Sequence, residues 1–305
     1  MNGLDVQLED YLRIRRALGY RLEREEHWLR QLLAHLQDAG SDHLTSGLTI
    51  NWAHQPATAQ PRHWAQRLGC ARKFARYLQT IDPTTEIPPT GVFPAPYRRP
   101  MPFVWSAEQI TTLLDAAGQL RPALHSLTSQ TLFGLLAVTG MRIGEAVGLV
   151  RGDVDFGTAV ITIRHAKFDR PRLVPLHPTV NAALRHYATG RDQLCPHPCS
   201  DAFFVSSRGN TLHRTAVDAT LRQLTTAMGI RTATIHPRAH DLRHSFAVHT
   251  LIRWMREGGS VDERMTELST YLGHVSPAGT YWYLTAVPEL LELAADRLQL
   301  PAGVR

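Results

Sequence analysis

Three short segments hold the residues best suited to chemistry on a phosphate. In the first, Thr139-Gly140-Met141-Arg142-Ile143-Gly144-Glu145, Glu145 lies three residues beyond Arg142, where a carboxylate can hold a guanidinium in place. In the second, His240-Asp241-Leu242-Arg243-His244, the separations bring His240, Arg243 and His244 to one helical face. Cationic side chains gain nothing from the dipole at a helix N-terminus, so a cluster of them there suggests a bound anion. The third is Leu272-Gly273-His274, followed by Thr280-Tyr281-Trp282-Tyr283. Singly, these read as a surface Arg–Glu pair, a basic helix start, a loop histidine and core tyrosines. Together they supply two fixed cations, several imidazoles and a phenol. A phosphodiester attack needs such a nucleophile, charge stabilisation on the non-bridging oxygens and a proton for the leaving oxygen. Tyr271, Tyr281 and Tyr283 all compete for the nucleophile's role. Tyr281 and Tyr283, two apart, would point in different directions on a helix and cannot both serve one site.

The charge balance agrees with a polyanionic partner. The chain has 305 residues, a net charge of +6 and an isoelectric point near 9.5, which favours nucleic acid over an acidic membrane surface. Lys73 and Lys167 are the only lysines, so nearly all positive charge is arginine, which grips phosphate with paired hydrogen bonds. Three cysteines (Cys70, Cys195 and Cys199) and no signal-like N-terminus imply a reducing cytoplasm without disulfides. No stretch has the apolar length of a membrane span. Cys195-Pro196-His197-Pro198-Cys199 carries thiols and an imidazole, but the spacing and the missing fourth ligand argue against zinc, so no metal is expected.

The elements that must position these residues fall into two parts. Residues 1–86 read as a small helical domain, with helices over Leu4–Leu18, Leu22–Ala39 and Pro61–Leu78. On the third, Trp64, Leu68, Ala71, Ala75 and Leu78 form the apolar face. Arg62, Arg67, Arg72, Lys73 and Arg76 lie on its other sides as candidate DNA contacts. Residues 87–104 are broken by prolines and carry Arg98 and Arg99, which predicts an extended linker, also in reach of DNA. Residues 105–305 read as a mainly α domain with a small antiparallel sheet. Ser106 and Gln109 form a capping box, and a helix runs over Ser126–Val138. Strands are expected over Ala159–Arg164, Arg172–Leu176 and Ala202–Ser206, the first two flanking a turn with Lys167 at its tip. Further helices are expected over Pro178–Ala188, His213–Met228, Asp241–Glu257, Val261–Leu272 and Pro288–Leu298.

Taken together, the motifs resemble those of the tyrosine recombinase family, the phage integrase type. The T-G-x-R-x-x-E and H-x-L-R-H segments are similar to that family's two arginine motifs. Leu-Gly-His with a tyrosine nine residues after the histidine resembles its third, which selects Tyr283. Lys167, followed by Arg172-Leu173-Val174-Pro175, resembles its hairpin lysine. The N-terminal helices resemble its core-binding domain, and the Tyr-Trp-Tyr-Leu ending is most similar to integrases of transposons and other mobile elements. The resemblance implies site-specific cleavage and rejoining of double-stranded DNA without a cofactor. Arg142 and Arg243 would clamp the phosphate, supported by Glu145 and His244. His240 and His274 would donate hydrogen bonds, and His240 could take the tyrosine proton. Lys167 would protonate the leaving 5′-oxygen, and Tyr283 would form a 3′-phosphotyrosyl link. It further implies a monomer that assembles as a homo-tetramer on two DNA sites, through a Holliday junction, alone or with partner recombinases, and a tail helix packing on its own or a neighbouring protomer. A type IB topoisomerase and a catalytically silent DNA-binding accessory protein are the rival readings.

Overall fold

The computed structural model describes residues 3–94, 101–164, 171–258, 261–273, 278–286, 290 and 292; at 261–263, 278 and 284–286 only the backbone is described. Lys167, His274, Arg98, Arg99 and, apart from Leu290 and Glu292, the expected tail helix after Pro288 lie outside the described residues. The chain divides into two compact units, Met1–Arg99 and Pro100–Arg305.

The first unit is built of α1 (Gly3–Ala17), α2 (Glu23–Asp38), α3 (Ser46–His54) and α4 (Pro61–Gln79). Leu8, Leu12, Leu29, Leu32, Trp52, Leu68 and Phe74 meet in its core. Helix α3 lies outside the three helices expected for this unit. Thr45 caps the helix, its hydroxyl accepting from the Leu48 N–H, and burial of Trp52 and Ala53 holds the helix in place.

The first unit corrects one residue of the basic set. Arg67 is not on the surface: it is 5% exposed, lies over the Trp52 ring and donates to the Trp52 carbonyl and Gln31. Its charge stabilises a helix junction through cation–π and hydrogen-bond contacts. Arg72 is half-buried and donates to the carbonyls of Pro88 and Pro89. Arg62, Lys73 and Arg76 are exposed. Ile87, Val92 and Phe93, placed in the linker by their prolines, pack against this first core, so the start of that segment is docked rather than free.

The second unit begins before the expected helix. Trp105 is fully buried, its N–H donating to Ser245 Oγ (2.8 Å) and its carbonyl 2.7 Å from His249 Nε2. Helix α5 (Ala107–Gly118) starts at the Ser106–Gln109 capping box, with both reciprocal hydrogen bonds formed. Then come α6 (Ala123–Thr139), α7 (Ile143–Val147), a three-stranded antiparallel sheet and α8 (Pro178–Leu194), α9 (Arg214–Ala227), α10 (Ala239–Arg256), α11 (Val261–Leu272) and α12 (Ala278–Ala286). The sheet runs β1 (Val154–Asp155), β2 (Val160–Ile163), β3 (Arg172–Pro175) in that order, with Ile163 opposite Arg172. The Ala202–Ser206 segment does not join it. Phe203 and Phe204 are both buried, and the segment makes isolated bridges at Ala202 and Val205. Its N–H groups go to different partners, Leu149 O and the Tyr187 hydroxyl, so no ladder can form.

Two cores result. Phe133, Leu136, Ile161, Val174, Tyr187 and Leu242 belong to the larger. Val248, Leu251, Met265, Leu268, Leu272 and Tyr283 form a second one between α10, α11 and α12. Helix α10 has residues in both, and the second arginine motif is its first turn.

Candidate active site

Both candidate arginines are held by backbone carbonyls at helix ends. Helix α6 stops at Gly140, whose φ of 60° is the left-handed conformation that favours glycine. The Gly140 carbonyl accepts from Arg243 Nη1 (2.8 Å), and the Leu272 carbonyl, at the end of α11, accepts from Nη2 (2.7 Å). Next in sequence is Gly273, also at positive φ (66°), and its carbonyl accepts from Arg142 Nη2 at 2.5 Å. The two glycines of the motifs are thus the turns that aim carbonyls at the guanidinium groups.

Arg243 is 1% exposed, and its Nε is buried with no hydrogen-bond partner among the described residues. Burial, then the neighbouring Arg142, push its pKa down to about 10, which leaves it charged at neutral pH. Arg142 is half-buried and tied to Glu145, Nη1 to Oε1 at 2.7 Å, while its own N–H donates to Glu145 Oε2 at 2.8 Å. Glu145 is therefore both the cap of α7 and the partner of Arg142. Burial alone would raise its pKa; hydrogen bonds and charge from Arg172 and Arg142 outweigh that and bring it down to about 2.

The sequence reading missed two residues here. Arg172, on β3, donates to both Glu145 oxygens (2.8 and 2.7 Å). Asp241 accepts from the Arg238 N–H at 2.7 Å and so caps α10, fixing the turn that presents His240, Arg243 and His244. Its position just inside a basic helix start was the one available signal.

Helix α12 turns its two tyrosines to different sides, as their spacing of two required. Tyr281 is 41% exposed, whereas Tyr283 is 1% exposed and faces α10. The Tyr283 hydroxyl is 2.7 Å from Nδ1 of His244. His240, expected to take the tyrosine proton, instead packs edge-on against His244 with ring centroids 4.5 Å apart. Tyr271 is half-buried and stacks on Phe246.

Burial, with Arg243 and Arg142 close by, depresses the His240 pKa from 6.5 to about 4, so its imidazole is neutral at neutral pH. The stability that follows is complete above pH 6.5, where folded and unfolded chains both leave His240 neutral. Below that the unfolded chain takes up the proton first, and stability falls until the pH reaches about 4. The loss is at most about 3 kcal/mol. Denaturant melts at pH 7 and near pH 4 are expected to differ less in His240→Gln than in the parent protein; an unchanged difference would remove His240 as a source.

Comparisons with known proteins converge on one family. The profile of the phage integrase family matches residues 104–289. The y4rB protein of Sinorhizobium fredii (strain NBRC 101917 / NGR234), whose name places it among integrases and recombinases, is 43% identical over 98% of both chains. Tyrosine recombinase XerD of Rhizobium meliloti (strain 1021) is 31% identical over 88% of this chain and 84% of that one. Among solved structures, the Tn1549 transposon integrase in complex with transposon right end DNA superposes with a TM-score of 0.66 at 16% identity, covering 96% of this chain and 98% of that one. The XerA recombinase gives a TM-score of 0.52 at 21% identity over 97% of both. The chain belongs to the phage integrase family, the tyrosine recombinases.

Proposed function

We propose that this protein is a site-specific DNA recombinase that cleaves and rejoins double-stranded DNA through a tyrosyl intermediate. Arg142 and Arg243 bind the non-bridging oxygens of the scissile phosphate and stabilise the charge that develops there. The Tyr283 oxygen attacks phosphorus, the bond to the 5′-oxygen breaks, and a 3′-phosphotyrosyl link forms. His244, with Nδ1 unprotonated and its proton on Nε2, takes the phenolic proton. His240, neutral at neutral pH, donates a hydrogen bond to the phosphate. Lys167 protonates the leaving 5′-oxygen, and His274 donates a further hydrogen bond; both rest on motif position. Attack by a 5′-hydroxyl from another duplex reverses the step and exchanges strands. The link conserves the phosphodiester's energy, so the chemistry needs no nucleotide hydrolysis. Arg62, Lys73, Arg76, Arg98 and Arg99 supply phosphate contacts that position the duplex. The working assembly is a homo-tetramer on two DNA sites, and the Tyr-Trp-Tyr-Leu ending favours a mobile element as the DNA moved.

The observation that carries this reading is the cluster on α10 and α12: Tyr283 within hydrogen-bond distance of His244, one residue from the doubly anchored Arg243. At 1% exposed, Tyr283 must be uncovered before in-line attack, which requires α12 to shift on DNA. The test is a nicked duplex built from the inverted repeats flanking the gene, so that the cleaved fragment diffuses away. The expected result is a covalent protein–DNA adduct whose modified peptide contains Tyr283. No adduct overturns the proposal, and an adduct on Tyr281 overturns the assignment. Relaxation of supercoiled plasmid lacking the repeats would favour the topoisomerase reading.

A further inference from the structure

We propose that Arg172 is a positioning residue for the phosphate ligand Arg142, acting through Glu145 by occupying both of its carboxylate oxygens. The inference rests on the reading of Arg142 given above. An ionised carboxylate offers about four lone-pair sites. At Glu145 four donors fill them. Arg172 Nη1 and Arg142 Nη1 share Oε1 at 2.8 and 2.7 Å; Arg172 Nη2 and the Arg142 N–H share Oε2 at 2.7 and 2.8 Å. Arg142 is thereby limited to one side-chain hydrogen bond with its acidic neighbour, and its Nη2 turns to the Gly273 carbonyl. The remaining guanidinium protons are left for an anion.

Without Arg172, half of the carboxylate is released, and the nearest cation able to take it is Arg142. A paired, two-point contact between Glu145 and Arg142 would then compete with phosphate for the same protons. The charge changes as well: two cations on one carboxylate leave an excess of +1, whereas one cation leaves none. The geometry is close-set. A Cβ on Gly273 would lie 3.0 Å from Arg172 Nη1 and 3.4 Å from Arg142 Nη1, so the two guanidinium groups meet beside a backbone without a side chain. Arg172 also has a rigid base, since it pairs with Ile163 in the sheet. Its Nε is buried with no partner among the described residues, so Glu145 is its one side-chain anchor among them.

The experiment compares Arg172→Met and Arg172→Lys with the parent protein on the nicked duplex. Arg172→Met is expected to hold the duplex within about threefold of the parent affinity, because the described side-chain hydrogen bonds of Arg172 go to Glu145. Its cleavage rate should fall by about 10²-fold, in kcat and kcat/KM alike. Arg172→Lys restores the charge but not the two-point grip, and should recover about tenfold of that loss. Among the described residues, the charged groups facing Glu145 are Arg142 at the start of α7, Arg172 from β3 and Arg243 from α10. With Arg172 gone, burial is opposed by fewer cations, so the Glu145 carboxyl must titrate at higher pH. The variant's cleavage should therefore begin to fall at a higher pH on the acid side than the parent's does.

Carbon-detected NMR of the Glu145 carboxyl in the DNA-free protein follows the same shift without needing activity. Parent-like cleavage and an unmoved Glu145 titration in both variants would overturn the proposal. If the parent protein forms no adduct while the Glu145 titration shifts as expected, the recombinase reading fails and the positioning of Arg142 stands. If Arg172→Met does not fold, Arg172→Lys carries the same comparison, and a parent-like rate in it would count against the two-point grip.

Discussion

Arg243→Lys is expected to lower DNA cleavage by roughly 10³-fold, and Arg243→Ala to abolish it and loosen the fold. Arg243 spans two carbonyls that belong to different elements, Gly140 at the end of α6 and Leu272 at the end of α11. A lysine keeps one charge on one nitrogen. It cannot reach both carbonyls and still present a planar edge to a phosphate. Burial already depresses the arginine's pKa to about 10; a lysine, which loses its proton more readily when buried, would lose part of its charge as well. In Arg243→Ala both carbonyls lose a charged donor, at about 1.5–3 kcal/mol each, so about 3 kcal/mol or more is lost. For a unit of this size that is a fall in Tm of roughly 10 °C. Calorimetry of the variants and a quench-flow assay on the nicked duplex measure the two effects separately. Arg243→Lys cleaving at the parent rate would remove Arg243 from the phosphate site.

The residues that could be read from the sequence were those whose partners are close in the chain. Glu145 lies three residues from Arg142, and the Ser106–Gln109 box has the same spacing; both are formed in the structure. Periodicity likewise separated Tyr281 from Tyr283, because a helix turns two adjacent odd positions to different sides. What could not be read were pairings made by tertiary packing. Arg172 meets Glu145 from 27 residues away, and His244 meets Tyr283 from 39. No local pattern encodes either. Arg67 shows the same limit in reverse. Its place on the polar side of α4 suggests solvent, but α2 and α3 close over that side, and Trp52 lies under the guanidinium. A helical wheel counts one helix and cannot see how many others surround it. The Ala202–Ser206 segment failed for a related reason: an apolar run has no memory of whether its N–H groups will find one neighbouring strand or several scattered acceptors.

Gly140→Ala should be nearly as damaging as removing Arg243, although glycine 140 touches no substrate. Its φ of 60° costs an L-residue roughly 1–2 kcal/mol. A Cβ there would lie 2.5 Å from Phe246 Cδ1 and 3.0 Å from Leu272 Cδ2, too close for either to remain in place. Phe246 is partly buried beside the second core and Leu272 lies within it, so the added methyl overpacks that region by about 1–3 kcal/mol. Relief requires the α6 end or the α10 start to move. Either motion shifts the Gly140 carbonyl from Arg243 Nη1, the contact that orients the guanidinium. Gly144, four residues on in the same motif, is the control: it is exposed, has no atom within 4 Å of an added Cβ and lies inside α7. Gly144→Ala should leave the stability unchanged or raise it, by up to about 1 kcal/mol of helix propensity, with the melting temperature following. The pair separates a glycine required by its backbone from one that only shares the motif. Equal melting and equal cleavage in the two variants would mean that the turn at Gly140 does not set the position of Arg243. A loss confined to Gly140→Ala, in cleavage beyond what the melting shift explains, would tie the T-G of the first motif to the arginine of the second.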